Sequence, residues 1–223
     1  MLLKCGASVV VPSHNREHWQ ALTERIVPDD HERLIGIPAN ATKRIGAQEV
    51  RRTISRRFDG QLDLVVAAVD SRVPGPALKD LELDSWNQLV ERHLTSHLVL
   101  AQTFLPLLRR GGRYLIIGRA TGQGLSFGTG PLPAIEAAKM VLARTLAVEE
   151  EEGGANVTEL VLERVGPSDR EEDSDGWISV EEIGLFVACL MEVSSQEDLG
   201  QTIHLGNRMH LMEELQGLPI FDA

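Results

Sequence analysis

Short apolar runs alternate with amphipathic stretches along the whole chain, the pattern of a parallel sheet whose strands are joined by crossover helices. The runs predict strands at Ser8 to Val11, Arg33 to Ile37, Leu62 to Ala68, Tyr114 to Ile117, Asn156 to Leu162 and Thr202 to Leu205. Between them, apolar residues at spacings of three and four predict helices over 15–27, 45–58, 84–109, 134–151 and 179–193. Ser85 with Gln88, and Ser179 with Glu182, have the spacing of a reciprocal capping pair, so each is expected to open a helix. The longest helix carries Trp86, Leu89, Val90, Leu94, Leu98, Ala101, Phe104, Leu105 and Leu108 on one wide stripe. No internal repeat or linker interrupts the pattern, and the expectation is one α/β domain over residues 1–223.

At 223 residues and 43% apolar content the chain can bury a substantial core. A formal charge of −11 disfavours a polyanionic partner, so no nucleic-acid binding is expected. The acidic runs at Glu149 to Glu152 and Asp169 to Asp175 read as solvated surface. No apolar stretch reaches the roughly 20 residues that span a bilayer, and the opening Met1 to Gly6 is too short for a signal peptide. A cytoplasmic location is therefore expected, with no membrane partner and with Cys5 and Cys189 as free thiols.

Several segments, in order, resemble one known family. Gly6 to Val11 resembles the second strand of the short-chain dehydrogenase/reductases, Asp63 to Ala68 the fourth, Asp84-Ser85-Trp86 the start of the long interface helix, and Gly112 to Ile117 the fifth strand. Gly166-Pro167 matches the loop after the sixth strand, Trp177 to Glu182 the start of the last helix, and Gly200 to Ile203 the final strand. The resemblance implies a Rossmann-like, doubly wound parallel sheet. It begins at the family's second strand, so the first strand and its Gly-rich, phosphate-binding turn are expected to be missing. Gly122-Gln123-Gly124 with Gly128 follows a strand and precedes a helix, but its spacing reads as a loop needing positive φ rather than as a phosphate cradle.

The family's activity needs a Tyr, a Lys, a Ser and an Asn, the phenol serving as proton donor. Lys139 matches the lysine, whereas Ile135 stands at the tyrosine position, Arg119 at the serine and His93 at the asparagine. The positions that touch cofactor in the family fall at Ser13 and His14, Asn40, Ala67 and Ala68 (in the run Ala67 to Asp70), and Gly166. Tyr114, the one tyrosine, lies in a predicted strand and is expected to point away from Lys139. His93 and His97, one helical turn apart, have metal-ligand spacing but no third ligand, and read as structural histidines, with no metal expected. The loop after Gly166 carries Asp169, Glu171, Glu172, Asp173 and Asp175, which would repel an anionic substrate.

These departures lead to the expectation of a catalytically inactive subunit that binds no cofactor and assembles as a homo-oligomer, or as a hetero-oligomer with an intact dehydrogenase. The alternatives are an NAD- or NADP-dependent oxidoreductase whose true start lies upstream, and a small-molecule sensor.

Overall fold

In a computed structural model of the chain, residues 1–69, 76–120, 130–166, 176–192 and 202–218 are described. The Gly122 to Gly128 segment, Asp70, Pro167, the acidic loop 169–175 and Gly200-Gln201 lie outside them. The strands are β1 (Val9–Pro12), β2 (Leu34–Ile37), β3 (Leu62–Ala67), β4 (Leu108–Arg119), β5 (Asn156–Leu162) and β6 (Thr202–Leu205). The helices are α1 (Arg16–Thr23), α2 (Arg44–Arg57), α3 (Leu83–Val90), α4 (Ser96–Phe104), α5 (Leu132–Glu149), α6 (Val180–Glu192) and α7 (Arg208–Gln216).

Every strand pairing is parallel. β1 pairs with β2, with Val10 opposite Ile35, and β3-β4-β5-β6 form a second sheet, with Val65 opposite Tyr114, Tyr114 opposite Val157 and Glu159 opposite Thr202. Among the described residues no strand stands between β1 and β3. The apolar runs of those two strands stay partly open: Val9, Val10 and Val11 are half-buried and Val66 is 40% exposed, whereas Tyr114, Leu115 and Ile116 of β4 are fully buried.

Side chains alternate between two cores, as the period of a strand requires. Tyr114, Ile116 and Val157 face a cluster with Ala47, Val50 and Ile54 of α2, Ala101 and Phe104 of α4, and Ala143 and Leu146 of α5. Leu115 and Leu160 face the other side, against Phe186, Val187 and Leu190 of α6 and Leu211 and Leu215 of α7. Val10 and Ile37 join the first cluster, so α2 ties the two-stranded sheet to the four-stranded one. Helices thus cover both faces of a parallel sheet, the Rossmann-like α/β arrangement expected from the sequence.

Four expectations about the elements need correction. The first helix ends at Thr23 rather than 27, because the chain turns into a 3-10 segment at Pro28–Arg33, where Pro28 fixes φ at the first position. Ser85 and Gln88 do not cap a helix: α3 starts at Leu83 after Glu82, which leaves Ser85 inside the first turn. The stretch 84–109 is not one regular helix, since a π-turn at Glu91–Thr95 separates α3 from α4. That stretch also ends early, because Pro106 converts Leu105–Leu107 to a 3-10 turn and β4 begins at Leu108. The second capping pair is present as expected. The Ser179 N–H donates to Glu182 Oε2 at 2.9 Å and the Glu182 N–H to Ser179 Oγ at 3.1 Å.

Candidate functional site

The positions implied by the family resemblance lie at or beyond the C-terminal ends of strands, where a parallel α/β sheet presents its ligand site. Ser13 and His14 follow β1, Asn40 follows β2, Ala67 closes β3 with Ala68 just after it, Arg119 ends β4 and Gly166 follows β5. Ile135 and Lys139 come from the first half of α5, and His93 from the π-turn, which packs against α5.

Local bonds occupy several of these groups. The Ser13 N–H donates to the Ile37 carbonyl at 2.9 Å, joining β1 to the end of β2, and its hydroxyl donates to the Asn15 carbonyl at 3.0 Å. The Asn40 side chain accepts from the Thr42 N–H at 3.1 Å and from its hydroxyl at 2.6 Å, shaping the turn into α2. Gly46 packs so closely beneath that turn that an added Cβ would lie 2.2 Å from the Asn40 carbonyl oxygen. The Gly166 N–H donates to Ile178 at 3.0 Å, with Trp177 packed over it.

At the centre is a buried charge cluster. Lys139 is 1% exposed, and its ammonium donates to Glu136 Oε1 at 2.9 Å and lies 2.8 Å from Oε2. Glu136 also accepts the Arg119 backbone N–H at 3.1 Å, which fastens α5 to the end of β4. Glu159, on β5, is 3% exposed and accepts from the Thr202 hydroxyl at 3.4 Å. A Cβ on Gly118 would lie 2.8 Å from Glu159 Oε1, so the β4 backbone passes this carboxylate where a side chain has no room. Burial pushes the Glu159 carboxyl up and the Glu136 charge adds to that, against the opposing pull of Lys139, Thr202 and Arg144. Lys139 and Glu136 therefore form an ion pair in a desolvated place, and the charges of both act on the Glu159 carboxyl.

Ile135, next to Glu136 on α5, is 1% exposed. Tyr114 lies in the core under α2, α4 and α5, and burial drives its phenol far above the usual range. His93 and His97 are fully buried, and His97 Nε2 stands 3.3 Å from the Val69 carbonyl. Among the described residues no group of three or more His, Cys, Asp or Glu could hold a metal ion, and no helix is long and apolar enough to cross a membrane.

The sequence reading missed Glu136 and Glu159. The signal for Glu136 was its position three residues before Lys139 on one helix, within ion-pair reach. For Glu159 it was a lone charge within the apolar strand Asn156 to Leu162, where a carboxylate must find partners.

Comparison with known proteins agrees with this architecture. A family model described as Enoyl-(Acyl carrier protein) reductase matches residues 1–159. An uncharacterized oxidoreductase of Staphylococcus aureus is 22% identical over 175 residues, 74% of this chain and 74% of its own length. Among solved structures, a short-chain dehydrogenase/reductase described as a glucose/ribitol dehydrogenase, from Brucella melitensis, superposes with a TM-score of 0.77 at 18% identity, covering 92% of this chain and 87% of that one. A short-chain dehydrogenase from Burkholderia cenocepacia, solved with NADP, superposes with a TM-score of 0.75 at 19% identity, covering 92% and 89%. With the parallel sheet and the strand-end placement of the matched positions, these likenesses show that the chain belongs to the short-chain dehydrogenase/reductase family.

Proposed function

We propose that this chain is a non-catalytic member of its family that acts as an assembly subunit, with itself or with an intact dehydrogenase. The observation that carries the reading is the state of Lys139. In the family's chemistry that lysine lowers the pKa of a neighbouring tyrosine. Here its ammonium is held by Glu136, and the neighbouring position is a buried isoleucine that can neither donate nor accept a proton.

The described residues do not fit a nicotinamide dinucleotide. Asn40 spends its side-chain oxygen on Thr42, and Lys139 is buried against the Glu136 carboxylate, which opposes a phosphate or a carbonyl dipole in that space. The solved NADP complex among its structural relatives speaks for that protein's site, and the tyrosine chemistry that the family resemblance implies has no counterpart at Ile135.

The assembly half of the reading rests on exposed apolar surface. Along α5, Ala134, Ala137, Val141 and Val148 lie on one outward stripe, with Val141 56% and Val148 73% exposed, and Leu98 of α4 is 39% exposed. Small and branched side chains in this pattern suit close helix-to-helix packing with another subunit.

The test is turnover. The wild-type chain and an Ile135→Tyr/Arg119→Ser variant, each given NADH or NADPH and a simple ketone, are expected to oxidise no cofactor above background. Steady turnover by either protein would overturn the non-catalytic reading.

A further inference from the structure

Two surface patches of opposite charge flank the outward apolar residues of α4 and α5. The first is on α2, which carries five arginines and one carboxylate in 14 residues of a chain whose formal charge is −11. Ala47, Val50 and Ile54 form its buried face, whereas Arg51, Arg52, Arg56 and Arg57 are exposed. Gln48, Arg51, Arg52, Ser55 and Arg56 line one open surface groove. At spacings of three and four, Gln48, Arg51 and Ser55 continue the row that begins with Arg44, whose guanidinium donates to the Gln102 side chain of α4 at 3.4 Å. The groove therefore lies on the α4 side of α2. Among the described residues Arg51, Arg52, Arg56 and Arg57 form no ion pair, and the bond from Arg56 Nε to the Arg52 carbonyl at 3.2 Å stays within the helix.

The second patch closes α5. Glu149 is the last residue of that helix and Glu150, Glu151 and Glu152 follow it, all exposed except the half-buried Glu150. A helix C-terminus already carries partial negative charge, so four carboxylates gathered there oppose both one another and the dipole. Among the described residues these four also form no ion pair. Each patch lacks what the other supplies.

The fold sets where the two patches stand. α2 packs on α4, α4 covers β3, and α5 covers β4 and β5, so the helices of this layer run in the order α2, α4, α5. α2 leads into β3 and α5 into β5, two strands of one parallel sheet, which puts both patches at the end of the layer where the strands begin. A two-fold axis parallel to the helices and just outside α4 lays α4 against α4. It also brings α2 of each chain over α5 of the other, with the two patches at the same height.

We propose that a second copy of this chain docks on this layer, the arginine groove of each protomer receiving the Glu149 to Glu152 end of its partner. The inference rests on the assembly reading and gives it a geometry. Leu98 then lies at the centre with charged contacts on both flanks, the apolar middle and polar rim of a protein interface. One exposed ion pair adds little, but two clusters engaged at once orient the encounter and exclude other registers.

Sedimentation at about 0.1 M salt, where charges act over about 10 Å, tests the contact. It compares the wild type with Arg51→Glu/Arg52→Glu/Arg56→Glu and with Glu149→Lys/Glu151→Lys/Glu152→Lys. Arg, Lys and Glu have nearly equal helix propensity, and unchanged circular dichroism and urea midpoints check that each variant is folded. The wild type is expected at twice the 24.5 kDa of one chain. Each variant alone sets like charge against like and is expected at the mass of one chain. An equimolar mixture of the two should regain the doubled mass, because each variant supplies the charge that the other has lost; a change that merely damaged the fold would not be rescued by mixing. The milder pair Arg52→Glu and Glu151→Lys should show the same loss and recovery as a rise and fall of the dissociation constant. Variants that keep the doubled mass alone, or that stay single when mixed, would overturn the charge docking and leave assembly through the apolar residues standing. A wild type at the mass of one chain would overturn this contact and the homomeric reading with it.

Discussion

Glu136 sits one helical turn before Lys139 and takes both its charge and its hydrogen bonds, so neither residue can be altered alone without leaving the other buried and unpaired. Replacing Lys139 with methionine should cost about 3–5 kcal/mol in urea unfolding, whereas the double change Glu136→Met/Lys139→Met should cost far less. An equal loss in the two variants would show that the pair does not hold the site. Gly118 meets the same cluster from β4. Gly118→Ala should destabilise by about 1–3 kcal/mol, with most of the loss recovered in a Glu159→Ala background, where the colliding carboxylate is gone. The Glu159 carboxyl, raised by burial, gives a pH signature. Its folded state holds a proton that the unfolded chain releases, so its contribution to stability is full below the ordinary glutamate range and is lost as pH rises through the folded value. The groups facing it, Lys139, Glu136 and Arg144 on α5 and Thr202 on β6, stay in place in Glu159→Gln. That variant should flatten the decline of stability on the alkaline side of that range, as read by denaturant midpoints over a pH series. An unchanged slope would contradict the assignment.

Among elements, α6 opens as the sequence implies. The Ser179 and Glu182 bonds close its first turn and the Arg208 guanidinium from α7 reaches the same carboxylate at 2.5 Å. Burial pushes Glu182 up, but the Ser179 N–H, Arg208 and the Ser179 hydroxyl together hold it below the usual range. Ser179→Ala should cost about 1 kcal/mol in thermal or urea unfolding, and no measurable loss would mean that Arg208 alone orders this end. Ser85 and Gln88 have the same spacing and do not cap, because the helix had already begun at Leu83. Spacing alone cannot tell an N-cap from a first-turn position. The strands read well: Asn156–Leu162 and Thr202–Leu205 stand where their apolar runs placed them. β4 runs longer than its run, since Arg109 to Gly112 are polar or glycine and gain strand character from the neighbouring Leu108–Leu62 pairing rather than from their own pattern. α7 was not legible for a related reason. Its signal is Asn207, which caps through the His210 N–H, plus Leu211 and Leu215 alone facing the core. The π-turn at His93 left no trace in the periodicity, which sees apolar positions and not the backbone hydrogen bonds that widen a turn.

At the scale of the molecule, two features of a family fold stand beside a changed centre. The parallel sheet keeps its helices on both faces, and α4 and α5 keep outward apolar residues. Of the two residues that the sequence resemblance matches to the family's proton donor and lysine, Ile135 is buried and Lys139 is held in a buried ion pair. If those outer faces bury one subunit against another, Leu98→Glu and Val141→Glu should reduce the native mass toward that of one 24.5 kDa chain in sedimentation. A wild-type protein already at that mass would remove the assembly reading. The strand order on either side of the β1–β3 division follows from the register of the pairs. The resemblance led to the expectation of a missing first strand, and among the described residues β1-β2 and β3-β4-β5-β6 form two separate sheets. A nicotinamide dinucleotide entering this centre would meet the buried Lys139–Glu136 pair and the Ile135 side chain. Calorimetric titration of the purified full chain with NADH and with NADPH tests it most directly. No saturable binding of either is expected at physiological concentration, and a micromolar dissociation constant for either one would contradict the non-catalytic reading.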